Sequence, residues 1–256
     1  MFNYLTKLPF LKRLIPSITT RYYKLLKKNK KFFKVGNIKF YLDYLDPLDR
    51  KMIINQKYEY DQVYYLEEKM NKDTFSYFID IGANSGYYSF YFADKFKDIQ
   101  IKAFEPNIDA YTKLKKTLFK NQFKNVEIFN FGLSDEERKV KIRSMIKNGF
   151  IQSNSAVLDG SHNFNKKDFE IKDAIVKAGD NIFNYKDKKL IIKIDVEGHE
   201  VYTLNGLTNN LKNNYCLLLI EISEGNYNKV NTFLEVINYK KIFKSKYRSD
   251  YIYTNI

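Results

Sequence analysis

The sequence predicts an α/β fold built on a mostly parallel, doubly wound sheet, and three observations carry that prediction. Short apolar runs ending at an acidic residue recur along the chain: Phe78, Ile79 and Ile81 around Asp80, then Ile101–Phe104 before Glu105, then Leu190–Ile194 before Asp195. Segments of helical periodicity separate these runs, the alternation expected of strands covered on both faces by helices. The first run leads directly into a turn bracketed by Gly82 and Gly86, and Tyr87–Ala93 resumes with helical spacing. Glycines there let a ligand approach the backbone, and the following helix offers free N–H groups.

The elements follow in order. A basic N-terminal extension covers residues 1–36, and one domain covers residues 37–256. Residues 37–75 have a mixed pattern, with Asp46-Pro47 as a turn and a helix over Tyr58–Met70. The core, residues 76–256, opens with strand Tyr77–Ile81 and helix Tyr87–Lys95. Strand Ile99–Phe104 and helix Ile108–Asn121 come next, with Asp109 as an aid to capping. After strand Val126–Asn130, Val140, Ile142 and Met145 within Glu137–Leu158 indicate short strands or a hairpin. The Ser/Asn/Gly-rich stretch Asn148–Asn165 reads as a long polar loop, which in a compact domain predicts a lid. Strand Leu190–Asp195, helix Glu200–Leu211, strand Tyr215–Ile222 and helix Asn226–Ile237 lead to an antiparallel terminal pair, Lys241–Lys246 and Tyr251–Thr254.

Composition narrows the classes. With 256 residues the chain can bury a sizeable core. Its one cysteine, Cys216, lies in the apolar run Tyr215–Ile220 and reads as a buried thiol. The spaced Cys/His clusters of a zinc site are missing, and no metal ligands are assigned. No apolar stretch is long enough to span a bilayer. Lys7, Lys12 and Arg13 break the first segment as a signal-peptide core, so cytoplasmic residence is expected.

The net charge of +14 is unevenly placed. No Asp or Glu precedes Asp43, whereas 11 Lys and Arg residues do; setting these aside leaves 33 basic against 30 acidic residues, or +3. The charge therefore belongs to the extension. Residues 1–34 interleave the cations with Phe2, Leu5, Leu8, Phe10, Leu11, Leu14 and Ile15, as helices that lie on anionic membrane surfaces do. Nucleic-acid phosphates are a second partner class, and a plain solvated extension is the third reading. Pro9 and Pro16 are expected to shorten any helix there.

Spacing selects the cofactor. A dinucleotide fingerprint would read G-x-G-x-x-G, whereas here the order is D-I-G-A-N-S-G. An acid at the strand end with a looser G-x-x-x-G turn suits S-adenosylmethionine, whose amino-acid moiety and sulfonium replace the pyrophosphate. About twenty residues on, Glu105 can accept both hydrogen bonds of a ribose diol. The segments FIDIGANSGYYS, AFEPN, FGLSD and KIDVEGHE, in this order, resemble the FkbM family of S-adenosylmethionine-dependent methyltransferases, over roughly Asn37 to Glu224. The resemblance implies a Rossmann-like class I methyltransferase fold and transfer of a methyl group to hydroxyls of sugar, glycan or polyketide acceptors. It assigns Asp80, Gly82, Asn84, Gly86 and Glu105 to the cofactor, and Ala83, Pro106, Asn107 and Asp195 beside them are further cofactor candidates. It places Asp195, Glu197 and His199 at the reacting end. One departure is visible: where family members carry a threonine-leucine-aspartate stretch, this chain reads Ala178–Phe183, AGDNIF.

Methyl transfer to a hydroxyl benefits from a base within hydrogen-bond reach. Asp195, Glu197, His199 and Glu221 are the candidates, all near the ends of central strands. Glu221 closes the apolar run Leu217–Ile220, where a carboxylate needs a partner or a role. Glu197 and Glu200 also suit the positive end of the helix that follows them. No Asn/Asp-Pro-Pro-aromatic signature for base methylation occurs; RNA ribose methylation and non-catalytic binding of the cofactor at a membrane remain as alternatives.

Overall fold

Residues 11–26, 29–147, 150–158, 165–246 and 248–256 are described in a computed structural model. Helix α1 (Leu11–Leu26) precedes a hairpin of β1 (Lys30–Val35) and β2 (Ile38–Asp43). The helix runs through Pro16, one of the two prolines expected to shorten it; in the second turn a proline removes one i→i−4 bond without ending the helix. The hairpin straddles the division expected after residue 36. It forms because Ile38, Phe40 and Leu42 alternate inward, and Gly36 turns the chain at φ +59°.

Helices α2 (Pro47–Asn55) and α3 (Tyr60–Lys72) follow. Asp46 caps α2, its side chain accepting from the Leu48 N–H at 2.9 Å with Pro47 in the first turn. Strand–helix alternation then appears as predicted: β3 (Tyr77–Ile81), α4 (Tyr87–Lys95), β4 (Gln100–Phe104), α5 (Ile108–Asn121) and β5 (Val126–Phe129). Asn107, rather than Asp109, caps α5, accepting the Asp109 N–H at 2.9 Å.

Four strands form a second sheet: β6 (Gly132–Ser134), β7 (Arg138–Lys147), β8 (Phe150–Val157) and β9 (Phe169–Ala178), in the order β6-β9-β7-β8. Most of the described part of the expected polar loop is thus strand β8. Its Ser and Asn residues disguised it, since Ser155 bonds Ser144 and Asn107 instead of facing water. Residues 148–149 and 159–164, which hold the rest of that stretch and His162, lie outside the described residues. Strand β9 went unforeseen because apolar side chains sit on both its faces, with Ala174 and Val176 buried and Ile171 and Ile175 exposed.

Short helix α6 (Gly179–Ile182), β10 (Lys189–Ile194), α7 (Glu200–Asn205), α8 (Thr208–Asn213), β11 (Tyr215–Glu221), α9 (Tyr227–Val236), β12 (Lys240–Lys244) and β13 (Asp250–Thr254) complete the chain. One helix expected from Glu200 is broken in two. At Gly206 between them a Cβ would lie 1.7 Å from the Ser134 carbonyl oxygen, so the break lets the backbone pack on β6.

The main sheet has the order β12-β13-β11-β10-β3-β4-β5. Strands β11 through β5 are parallel, and β13 runs against both β11 and β12. Successive side chains of β3 enter opposite cores: Phe78 joins Phe90 and Phe92 of α4, while Ile79 and Ile81 join Leu204 and Leu234 of α7 and α9. Register then aligns the strand ends. Ile81 pairs with Phe104 and with Ile194, and Ile194 pairs with Ile220. Each of the next residues, Gly82, Glu105, Asp195 and Glu221, therefore stands in one row along the carboxyl edge of the sheet.

Candidate active site

A cavity of ≈ 220 Å³ opens over that row. All four row residues line it, together with Asn84, Pro106, Glu197 and His199, while Ile142, Val157 and Val176 of the second sheet form the facing wall. The sequence-derived set thus converges, with four exceptions that lie outside the lining.

Asp80 is 1 % exposed; its Oδ2 accepts from the Ser89 N–H and hydroxyl at 3.2 and 2.6 Å. Ala83 is buried and keeps the turn tight, donating its N–H to the Phe104 carbonyl. Gly86 caps α4 at φ +84°, and a Cβ there would meet Leu114 and Phe90 at 2.5 Å. Asn107 uses its amide to cap α5 and to bond Ser144 and Ser155. Asp80, Ala83 and Gly86 build the turn and Asn107 caps α5; none of the four lines the cavity.

At Gly82, φ is +77° and a Cβ would lie 1.8 Å from the Asp195 carbonyl oxygen, so only glycine lets β3 and β10 end side by side. Glu105 is buried, and its two oxygens accept the Asn84 and Asn107 N–H groups at 2.8 Å each. Burial outweighs these bonds and pushes its carboxyl up to about 7. The turn at Asn84 has φ 51°, and the Asn84 Oδ1 is buried without a hydrogen-bond partner. A carboxylate with lone pairs to share and an orphaned amide oxygen, both facing the cavity, fit a ligand bearing a ribose diol and further donors. Ionised Glu105 is the better acceptor of a diol. S-adenosylmethionine affinity is accordingly expected to fall roughly tenfold from about pH 8 to about pH 6 in calorimetry, and Glu105→Gln should remove that dependence.

Lys193 was not singled out from sequence. Its Nζ, on a buried side chain beneath the row, lies 3.3 Å from Asp195 Oδ2, 3.4 Å from the Gly82 carbonyl and 3.6 Å from Asp80 Oδ1. Those carboxylates hold the ammonium above its ordinary range against the opposing effect of burial. Lys193 thereby ties the glycine turn to the β10 end.

Beyond Asp195, Glu197 adopts φ 50° and accepts from Asn154 Nδ2 of β8 at 3.1 Å. Glu200 is 1 % exposed and accepts from the Gly198 N–H, the Ser223 hydroxyl and Asn226, so of the two glutamates it is the structural one. His199 stacks on Tyr202, and its Nε2 lies 2.9 Å from Ser134 Oγ. The same Ser134 hydroxyl lies 2.8 Å from Asp135 Oδ1.

Arg248 completes the far end. It donates to Glu59 at 2.5 Å and Glu221 at 2.7 Å, and pairs with Asp250 at 2.9 Å, one guanidinium gathering three carboxylates from three elements. Glu59 itself has φ 45° and a side chain only 4 % exposed, which accepts from the Tyr88 hydroxyl. Asn84, Glu197 and Glu59 are non-glycine residues held in the left-handed region, each at a cost on the order of 1–3 kcal/mol, and all three stand in or beside the cavity. Neither Arg248 nor Glu59 lies in a motif; the apolar-run signal that exposed the strand ends is silent on isolated charges in turns.

Residues 80–248, more than half of the chain, match the methyltransferase FkbM domain. No curated protein matches the chain. Solved structures resembling it include precorrin-6y C5,15-methyltransferase from Geobacter metallireducens GS-15, at 16% identity over 76% of this chain and 86% of that one, TM-score 0.43. A human methyltransferase 10 domain containing protein shares 11% identity over 93% and 95%, TM-score 0.46. TYW2 from M. jannaschii, in complex with AdoMet, shares 15% over 89% and 84%, TM-score 0.43. With the family's domain spanning the glycine turn, the acid row and Arg248, the chain belongs to the FkbM family of S-adenosylmethionine-dependent methyltransferases.

Proposed function

We propose that the enzyme methylates a hydroxyl of a neutral, polyhydroxylated acceptor of the sugar or glycan class. The observation that supports this reading is the polarity of the cavity's reacting end, which presents hydrogen-bond acceptors. Asp195, Glu197 and Glu221 line it. Asn154 lines it too: its Nδ2 is committed to Glu197, which leaves its Oδ1 buried without a partner. The neighbouring cations, Lys193 and Arg248, are already engaged by carboxylates. A ligand seated there has to bring donors, which hydroxyls do, while a phosphate or carboxylate would meet like charge. The same wall disfavours the RNA ribose reading, in which backbone phosphates would enter.

In this reading S-adenosylmethionine, held by Glu105, Asn84 and the Gly82 turn, supplies a methyl group made electrophilic by the sulfonium. The chain's own residues orient the acceptor oxygen and take its proton. Glu221 is assigned the proton. Arg248 binds its Oε2 and not Oε1. Burial, reinforced by Asp195, pushes its carboxyl up to about 8 despite the shared guanidinium. The His199 ring is buried, stacked on Tyr202 with its Nε2 against Ser134 Oγ, and is less available to an acceptor. Asp195 and Glu197 are assigned to orienting the acceptor.

Transfer of labelled methyl groups to neutral oligosaccharides, uronic-acid oligosaccharides and RNA tests the reading. Label in the neutral sugars alone is expected. Label entering RNA or the uronic acids at a comparable rate would overturn it. No helix among the described residues is long and apolar enough to cross a membrane.

A further inference from the structure

Helix α1 has two unlike faces. Tyr23 docks it on the domain, its ring centroid 4.8 Å from that of Tyr44 and 6.4 Å from that of Phe33. Ile18, Tyr22 and Leu25, spaced i, i+4 and i+7, point elsewhere and are 58 %, 57 % and 84 % exposed. Single exposed apolar residues are ordinary, but a stripe in helical register opposite a docked face is not. Arg21 and Lys24, both exposed, border the stripe. Before Asp43 the sequence holds 11 Lys and Arg residues and no Asp or Glu.

We infer that α1 is a membrane-surface helix, seating Ile18, Tyr22 and Leu25 in the interfacial layer of an anionic phospholipid bilayer while its basic flank meets the headgroups. The choice of occupant rests on charge complementarity. A second copy of this chain would bring the same positive charge to the stripe, and a purely polyanionic partner would leave Leu25 in water. A bilayer surface takes apolar side chains and cations together. Tyr23 and the β1–β2 hairpin hold the helix against the domain, so a docked enzyme would work at the surface, not on a free tether. This inference does not depend on the acceptor proposed above.

Co-sedimentation of the full chain with vesicles tests it, using phosphatidylglycerol mixed with phosphatidylcholine, and phosphatidylcholine alone. Binding to the mixed vesicles is expected, weakening as salt is raised. Leu25→Glu should weaken it at least about tenfold, since it removes buried apolar area and adds a repelled charge. Leu25 is so exposed that the unfolding midpoint and S-adenosylmethionine affinity of the variant should stay unchanged. Arg21→Ala with Lys24→Ala should weaken binding by roughly tenfold or more and flatten its salt dependence. The inference fails if wild type does not bind the mixed vesicles, or if it binds equally well with Glu at position 25. It also fails if the substitution only dissociates an oligomer, or if the stretch binds RNA and not vesicles.

Discussion

Glu221→Gln is expected to lower methyl transfer by about 10²–10⁴-fold while leaving S-adenosylmethionine affinity within about twofold of wild type. Glutamine keeps the shape of the side chain and an oxygen for Arg248, but it cannot take a proton from the acceptor. Glu221 ends β11, two strands from the β3 turn, beside the cavity's acid-lined end. Its carboxyl is pushed up to about 8, so the ionised form that accepts a proton grows as pH rises. Wild-type transfer is therefore expected to climb through about pH 8, on a limb that the variant lacks. His199→Asn supplies the contrast: if it abolishes that limb and Glu221→Gln does not, the proton goes to the histidine. Single-turnover rates across pH, with binding measured separately, distinguish these cases.

Lys193→Met is expected to destabilise the fold by about 3–5 kcal/mol, the usual consequence of removing one partner from a buried ionic group. Methionine matches the stem of lysine but leaves Asp80, which is 1 % exposed, and Asp195 with no ammonium between them. For a chain of this size the midpoint of thermal unfolding should fall by roughly 6–20 °C. Adding Asp80→Asn, which removes the stranded charge, should restore a large part of the loss. A single-variant loss below about 1 kcal/mol, or no recovery in the double variant, would show that Lys193 is not what balances these carboxylates.

How much of this was legible beforehand depended on periodicity. The strands Tyr77–Ile81, Gln100–Phe104, Lys189–Ile194 and Tyr215–Glu221 are buried on both faces and read as apolar runs, so their ends, and the acids on them, could be found from sequence. Gly82 and Gly86 were equally visible, since left-handed backbone and close approach leave glycine little competition. The second sheet was harder. Strand β8 carries Ser and Asn that bond to one another across the hairpin, and polarity alone resembles a loop. Lys193 was hidden inside an apolar run as one residue breaking the pattern. Arg248 and Glu59 were hidden for a different reason: they lie 189 positions apart, and nothing local announces that they meet. Asn107 shows the opposite error, a motif residue whose side chain serves the architecture.

The aligned row at the carboxyl edge makes the main sheet a ruler. Glu105, Gly82, Asp195 and Glu221 end four adjacent strands, so the span from the first to the last is three strand spacings, about 14 Å. That length is fixed by backbone hydrogen bonding and not by any side chain. The Glu105 end and the Glu221 end of the cavity are held apart by the hydrogen-bonded backbone of four strands. Changes in the second sheet can therefore reshape what enters at one end while the distance to the other stays constant.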